Sequence, residues 1–147
     1  MPVDAPTVDV AGLASRLRVS VARLARKLRR EGDSEISQTL LSALATIERH
    51  QPMTAGQFAT HEQVQKPTVT RLIGVLVDRG LIERTTDPLD GRVVWLQLSG
   101  EGHRYLQRFR RRKDRYLSRR IEELTPSELA TLDRAADILE RLIGGDR

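Results

Sequence analysis

Lys66-Pro67-Thr68-Val69-Thr70-Arg71-Leu72-Ile73-Gly74-Val75-Leu76-Val77-Asp78-Arg79-Gly80 reads as a helix with both ends marked. The proline ring fixes φ near the helical value and lacks only an N–H that has no partner in a first turn, so Pro67 suits the start; Gly80 can take the left-handed backbone that stops a helix. Val69, Leu72, Ile73, Leu76 and Val77 recur at three- and four-residue steps, which predicts one buried face. Lys66, Thr68, Thr70 and Arg71 are left facing outward.

Upstream, Thr54-Ala55-Gly56-Gln57 has the form of a capping box, in which Thr54 accepts from the backbone of Gln57 and the Gln57 side chain returns to Thr54. It opens a short helix that buries Phe58 and Ala59, and a turn is expected at 61–65. Downstream the period changes from helical to alternating. Residues 81–85 and 93–98 read as strands around the turn-forming loop Asp87-Pro88-Leu89-Asp90-Gly91-Arg92. Val94, Leu96 and Leu98 share the face turned to the helices, and Val93, Trp95 and Gln97 take the other.

Two short helices followed by a two-stranded ribbon form a shape suited to duplex DNA. The first turn of the second helix can present base-reading and phosphate-holding groups to a major groove, here Gln65, Lys66, Thr68, Thr70 and Arg71. A hairpin tip carrying Arg92 beside Asp90 can place a guanidinium in an adjacent minor groove. The alternatives are an ordinary amphipathic surface helix and an Arg92 that only pairs with Asp90 at the surface.

The run KPTVTRLIGVLVDRGLIERTTDPLDGRVVWLQLSGEG, residues 66–102, resembles the core of the MarR family of bacterial winged helix-turn-helix regulators. The features carrying the resemblance are a recognition helix, a G-L-I-E-R strand, a D-P-x-D-x-R wing and an L-[ST]-x-x-G helix start. The resemblance is specific over roughly 53–102. It implies a mainly α fold with a small β-hairpin, in which a winged helix-turn-helix module is flanked by N- and C-terminal dimerisation helices. It also implies a homodimer partnered with double-stranded DNA and often released by a small-molecule effector, whose identity the residues do not reveal. The chain departs from the family in two places. Glu62, Gln63 and Gln65 stand in the turn where the family has an apolar residue, Gly and often Ser or Thr, which predicts a looser turn. Asp90-Gly91-Arg92 keeps one of the two wing cations, so only Asp90 and Arg92 carry over.

The rest of the chain reads as helices. Residues 1–7, with two prolines and little to bury, are expected to form a flexible arm. From about Val8, Val10, Leu17, Val21, Leu24 and Leu28 fall close to a heptad, with seven cations over the remaining surface. Glu31-Gly32-Asp33 ends that helix. Ser34 or Ser37 caps a second, lined by Leu40, Leu41, Leu44 and Ile47 and closed at His50-Gln51-Pro52. Ser99 caps a long helix from Gly100 through Glu123. Within it, Arg108-Phe109-Arg110-Arg111-Arg112-Lys113-Asp114-Arg115 is either a nucleic-acid patch or a solvated face whose arginines pair with carboxylates elsewhere in a dimer. Thr125-Pro126-Ser127-Glu128 starts a last helix that repeats Leu129, Leu132, Ala136, Leu139 and Ile143 and stops at Gly144-Gly145. One domain spanning 1–147 is the expected organisation, with 8–31 and 100–144 as dimerisation helices and 34–98 as the reading module. Two heptad-like ends on a chain of this size call for a second copy to cover them.

Twenty-five Lys and Arg against 20 Asp and Glu give a net charge of +5, which favours a polyanionic partner. The chain has no cysteine, which excludes disulfides, thiolate metal sites and a cysteine redox switch. The absence of a long apolar run or a signal-peptide pattern points to a cytoplasmic protein with no membrane partner. No metalloprotease helix, P-loop or calcium loop is present, His50, His61 and His103 sit in unrelated contexts, and no acid, base and nucleophile come together, so neither an enzyme nor a cofactor is expected. Trp95, Tyr105 and Tyr116 serve either an effector pocket or packing. The rival functions are a non-specific chromosome-organising or RNA-binding protein and a protein-interaction adaptor on a winged helix.

Overall fold

The computed structural model describes residues 8–32 and 35–144. Four readings lie outside them: the arm at 1–7, Asp33 as part of a helix stop, Ser34 as a cap, and Gly145. The element order is α1 (Val10–Glu31), α2 (Gln38–His50), α3 (Ala55–Glu62), α4 (Lys66–Asp78), β1 (Ile82–Thr86), β2 (Val94–Leu98), α5 (Gly100–Ile121) and α6 (Pro126–Gly144). The chain divides into two compact units: Gly32–Arg112, and α1 together with the chain from Lys113 onward.

In the middle unit the caps form where the side chains call for them. Ser37 accepts from the Leu40 N–H at 3.3 Å to start α2. Thr54 and Gln57 close both arms of the capping box at 3.2 and 2.9 Å. Gly80 has φ +68 and ends α4. The α3 helix persists to Glu62, so the turn is shorter than expected, and it is closed by Gln63 in the left-handed region at φ 52. Far from being loose, this glycine-free turn returns the Val64 N–H to the Ala59 carbonyl at 3.2 Å.

The core draws Leu41, Leu44 and Ile47 from α2, Phe58 from α3, and Val69, Leu72, Ile73 and Leu76 from α4. Leu96 and Leu98 close it from the hairpin, and Leu106 and Phe109 from α5. Burying about ten such side chains at roughly 1.5–3 kcal/mol each is the main force holding α4 at a fixed angle to the sheet. Val77 is half-buried and packs against the edge of this core, and Val94, on the same strand face as Leu96 and Leu98, is 39% exposed, so both keep the face assigned to them with less cover than their neighbours.

The strands pair antiparallel from Ile82 with Leu98 to Thr86 with Val94, each one residue later than the alternation suggests at its start. Met53 adds a bridge to Leu96, donating at 3.1 Å and accepting at 2.7 Å. The Gln51 side chain accepts the Leu98 N–H at 2.8 Å, and the Gln51–Pro52 peptide is cis. Ser99 then caps α5 by accepting from Gly102 N–H at 3.0 Å while donating to the Gly80 carbonyl. Gly102 is where this helix crosses the strand: a Cβ there would lie 2.0 Å from the Leu81 carbonyl oxygen.

The second unit contains α1, the end of α5 and α6. Asp9 caps α1, its carboxylate accepting from Gly12 N–H at 3.1 Å. The Thr125 and Glu128 side chains exchange the capping-box bonds that open α6. Neither α1 nor α6 buries a single residue. Leu13, Leu17, Val21 and Leu24 on α1, and Leu129, Leu132 and Leu142 on α6, are all exposed by more than a third.

Candidate nucleic-acid interface

The site begins with α4. Because Val69, Leu72, Ile73 and Leu76 are fixed in the core, the residues one step around the helix must face outward. Gln65, Lys66, Thr70 and Arg71 are exposed, and Thr68 is half-buried. Pro67 brings no N–H to the first turn, no side chain caps it, and the Thr68 and Val69 amides donate to the Gln65 carbonyl at 3.0 and 3.1 Å, so what this end offers an anion is its positive dipole and the exposed Lys66 side chain. The Thr70 hydroxyl donates to the Lys66 carbonyl at 3.0 Å. Its proton is therefore committed, and what Thr70 offers outward is an acceptor and a methyl group.

The wing supplies the second half. Asp87 organises its loop by accepting from the Leu89 and Asp90 N–H groups at 2.8 and 3.0 Å and from the Trp95 indole at 2.8 Å. These bonds, the Trp95 one foremost, hold the Asp87 carboxyl below its ordinary range. Asp90 accepts from Arg92 twice, through the backbone N–H at 3.0 Å and Nε at 3.2 Å, and is likewise held low, the backbone bond contributing most. The surface pairing weighed above therefore exists, yet it uses only Nε. The Arg92 side chain remains 92% exposed.

Between the two halves runs a groove of about 570 Å³, lined by Ala55, Lys66, Thr70, Ile73, Arg84 and Val94 among others. Arg84 is the residue the sequence reading missed. It pairs with Leu96 across the ladder and so shares the strand face turned toward α4. Period-two alternation from Ile82 was the available signal.

Elsewhere two arginines of the α5 run pair with carboxylates of the same chain. Arg110 grips Glu48 with both terminal nitrogens, and Arg108 donates to Glu101 at 2.8 Å. His50 and His61, read as unrelated, in fact stack with ring centroids 3.9 Å apart, because the ends of α2 and α3 meet. Both are exposed. Among the described residues no group of three or more His, Cys, Asp or Glu is placed to hold a metal, and no helix is long and apolar enough to cross a membrane.

A helix-turn-helix whose second helix stands open beside a two-stranded wing defines a winged helix-turn-helix, the architecture of DNA-binding regulators. Residues 36–94 match the MarR family. Across 134 residues, the chain is 39% identical to the uncharacterised HTH-type transcriptional regulator Mb0904 of Mycobacterium bovis, covering 90% of this chain and 94% of that one. The chain belongs to the MarR family of transcriptional regulators. A crystallised candidate transcriptional regulator of Pseudomonas aeruginosa superposes with a TM-score of 0.81 at 33% identity, over 94% of this chain and 98% of that one. The same fold, at 21% identity and a TM-score of 0.63, is found in Streptococcus pneumoniae FabT in complex with DNA, over 95% of this chain and all 100% of that one.

Proposed function

We propose that the protein is a dimeric, non-enzymatic transcriptional repressor that binds a pseudo-palindromic operator. Gln65, Lys66, Thr68, Thr70 and Arg71 face the major groove, joined by Arg84 at its edge, and Arg92 enters the minor groove, steadied by Asp90. The observation that carries this reading is the exposure of the α4 first turn beside an Arg92 that is both pinned and open. The DNA complex of FabT supports it, as an oligonucleotide complex of Staphylococcus aureus MepR does for the same fold.

The dimer follows from the uncovered apolar stripes of α1 and α6. Two copies that interdigitate these helices bury both stripes and set the two recognition helices about one DNA turn apart, roughly 34–36 Å. A small-molecule effector acts by favouring a different spacing. Such a protein works in the cytoplasm, with the chromosome. The test is selection of bound fragments from random-sequence DNA. An enriched inverted repeat, with a preference of about 10³-fold or more over random duplex, supports operator reading. Uniform binding to every duplex supports the chromosome-organising alternative instead, and no salt-dependent DNA binding supports the adaptor.

A further inference from the structure

The positive charge of this protein does not reside in its reading module. Residues 35–98 hold six cations and seven carboxylates, for a net −1. The α1 helix holds seven cations and one carboxylate, for +6 over 22 residues. Its neighbour in charge, α5, spends several of its arginines on partners in the middle unit. The α1 cations are not spent in that way. Among the described residues the one ion pair on α1 is Lys27 with Glu31 at 3.4 Å, and its six arginines make none.

These cations are also arranged. Arg16, Arg23, Arg26, Lys27 and Arg30 follow at steps of seven, three, one and three, which lines them along one face. That face lies roughly a third of a turn from the apolar stripe of Leu13, Leu17, Val21, Leu24 and Leu28. Arg23, Leu24, Arg26, Lys27 and Arg30 border a shallow concavity of about 420 Å³. Lys27 and Arg120 lie 5.7 and 5.5 Å from the centroid of the same Tyr116 ring, so the patch continues onto the end of α5. A dimer that buries the apolar stripe leaves this basic face outside. Planar guanidiniums at helical spacing suit a rigid, repeating array of phosphates, which duplex DNA supplies at one charge per roughly 1.7 Å of axis.

We propose that the α1 stripe is a second, sequence-independent contact for the phosphate backbone of duplex DNA, separate from the winged module. It supplies the electrostatic affinity that a module of net −1 lacks, and leaves that module to discriminate sequence. The proposal does not require the operator reading to be correct, because it is tested on random duplex.

The test uses the full-length chain, anisotropy of a labelled 30-bp random-sequence duplex, and a potassium chloride titration. In a Lys66→Ala/Arg71→Ala/Arg92→Ala background, salt-sensitive binding should persist. Adding Arg23→Gln/Arg26→Gln/Arg30→Gln should weaken it by at least tenfold and lower the slope of log K against log salt by about 2–3 per protomer. The matching Arg→Lys triple should retain the slope. Residual binding that is absent from the background, or that ignores the glutamine triple, overturns the proposal. So does a glutamine triple that sediments as a monomer where the background is a dimer, which would assign these arginines to subunit packing. Loss of binding to phosphatidylglycerol vesicles with an unchanged DNA slope overturns it in favour of a membrane surface.

Discussion

The indole N–H of Trp95 donates to the Asp87 carboxylate at 2.8 Å, tying the second strand of the wing to the first residue of its loop. The same carboxylate caps the Leu89 and Asp90 amides, so one side chain sets the path of the chain toward Arg92. Asp87→Asn retains the size but leaves one acceptor oxygen for three donors. DNA affinity should fall roughly threefold to tenfold, as for the loss of one hydrogen bond. Trp95 is the only tryptophan, so its emission reports the change directly. Because these bonds hold Asp87 below the usual carboxylate range, wild-type emission should stay constant as pH falls through that range and change only beneath it.

Arg71 is exposed on the first turns of α4 and separates two modes of contact. Arg71→Ala should cost about 1–3 kcal/mol of operator affinity. If the guanidinium reads a base, preference relaxes at one base pair of each half-site; if it holds a phosphate, every sequence weakens together and the salt slope drops by about 1. Binding equal to wild type in a titration against the selected repeat would remove Arg71 from the interface.

What the sequence made legible was local. The Thr54–Gln57 and Thr125–Glu128 boxes, Pro67 at the start of α4 and Gly80 at its end are decided within a few residues, and each formed as read. What it concealed depends on residues far apart in the chain. Neither the Met53–Leu96 bridge, nor the grip of Arg110 on Glu48 across 62 positions, nor the stacking of His50 on His61 has a periodic signature. Arg84 lies between the two cases: its strand was legible and alternation from Ile82 gave its face, but its pairing with Leu96 followed only from register. The looser turn expected at Gln63 failed because a non-glycine residue tolerates the left-handed region when its neighbours hold it there.

Gly102 tests the joint between the wing and α5. Its missing side chain admits the Leu81 carbonyl, which a methyl group would meet at 2.0 Å. That atom is backbone, held by the Ser99 N–H at 3.0 Å, and it cannot rotate aside. Gly102→Ala should therefore destabilise the protein by about 1–3 kcal/mol, read as a lower midpoint in urea. A change below about 0.5 kcal/mol would show that the joint yields freely.

Glu48 links stability to pH. Its hydrogen bond from Arg110, the largest influence, lowers its pKa below the usual glutamate value, more than partial burial raises it. A carboxyl whose folded pKa is depressed adds stability that is complete above its unfolded pKa, near 4.3, and is lost as pH falls through the lower folded value. Between those two points the unfolded chain binds more protons, so stability rises with pH. Glu48→Gln removes that dependence, and the wild-type and variant stability curves should converge as the solution is acidified below about pH 4. Parallel curves across that window would mean the pair contributes no linkage.

Gln63 offers a test of opposite sign. With φ 52 it is the one non-glycine residue in the left-handed region among those described, and it forms the turn that aims α4. A side chain in that region costs about 1 kcal/mol or more, whereas glycine adopts it freely. Gln63→Gly relieves that cost but gives the unfolded chain extra freedom worth about 0.4–1 kcal/mol, so the net effect should be a stabilisation of up to about 1 kcal/mol. Thermal unfolding at fixed protein concentration measures it. Operator affinity should be unchanged, because the relieved strain lies in the turn and the exposed first turn of α4 keeps its position on the core. A destabilised variant would show that the Gln63 side chain contributes packing that outweighs its backbone cost, and a change in affinity would show that the turn adjusts the angle of the recognition helix.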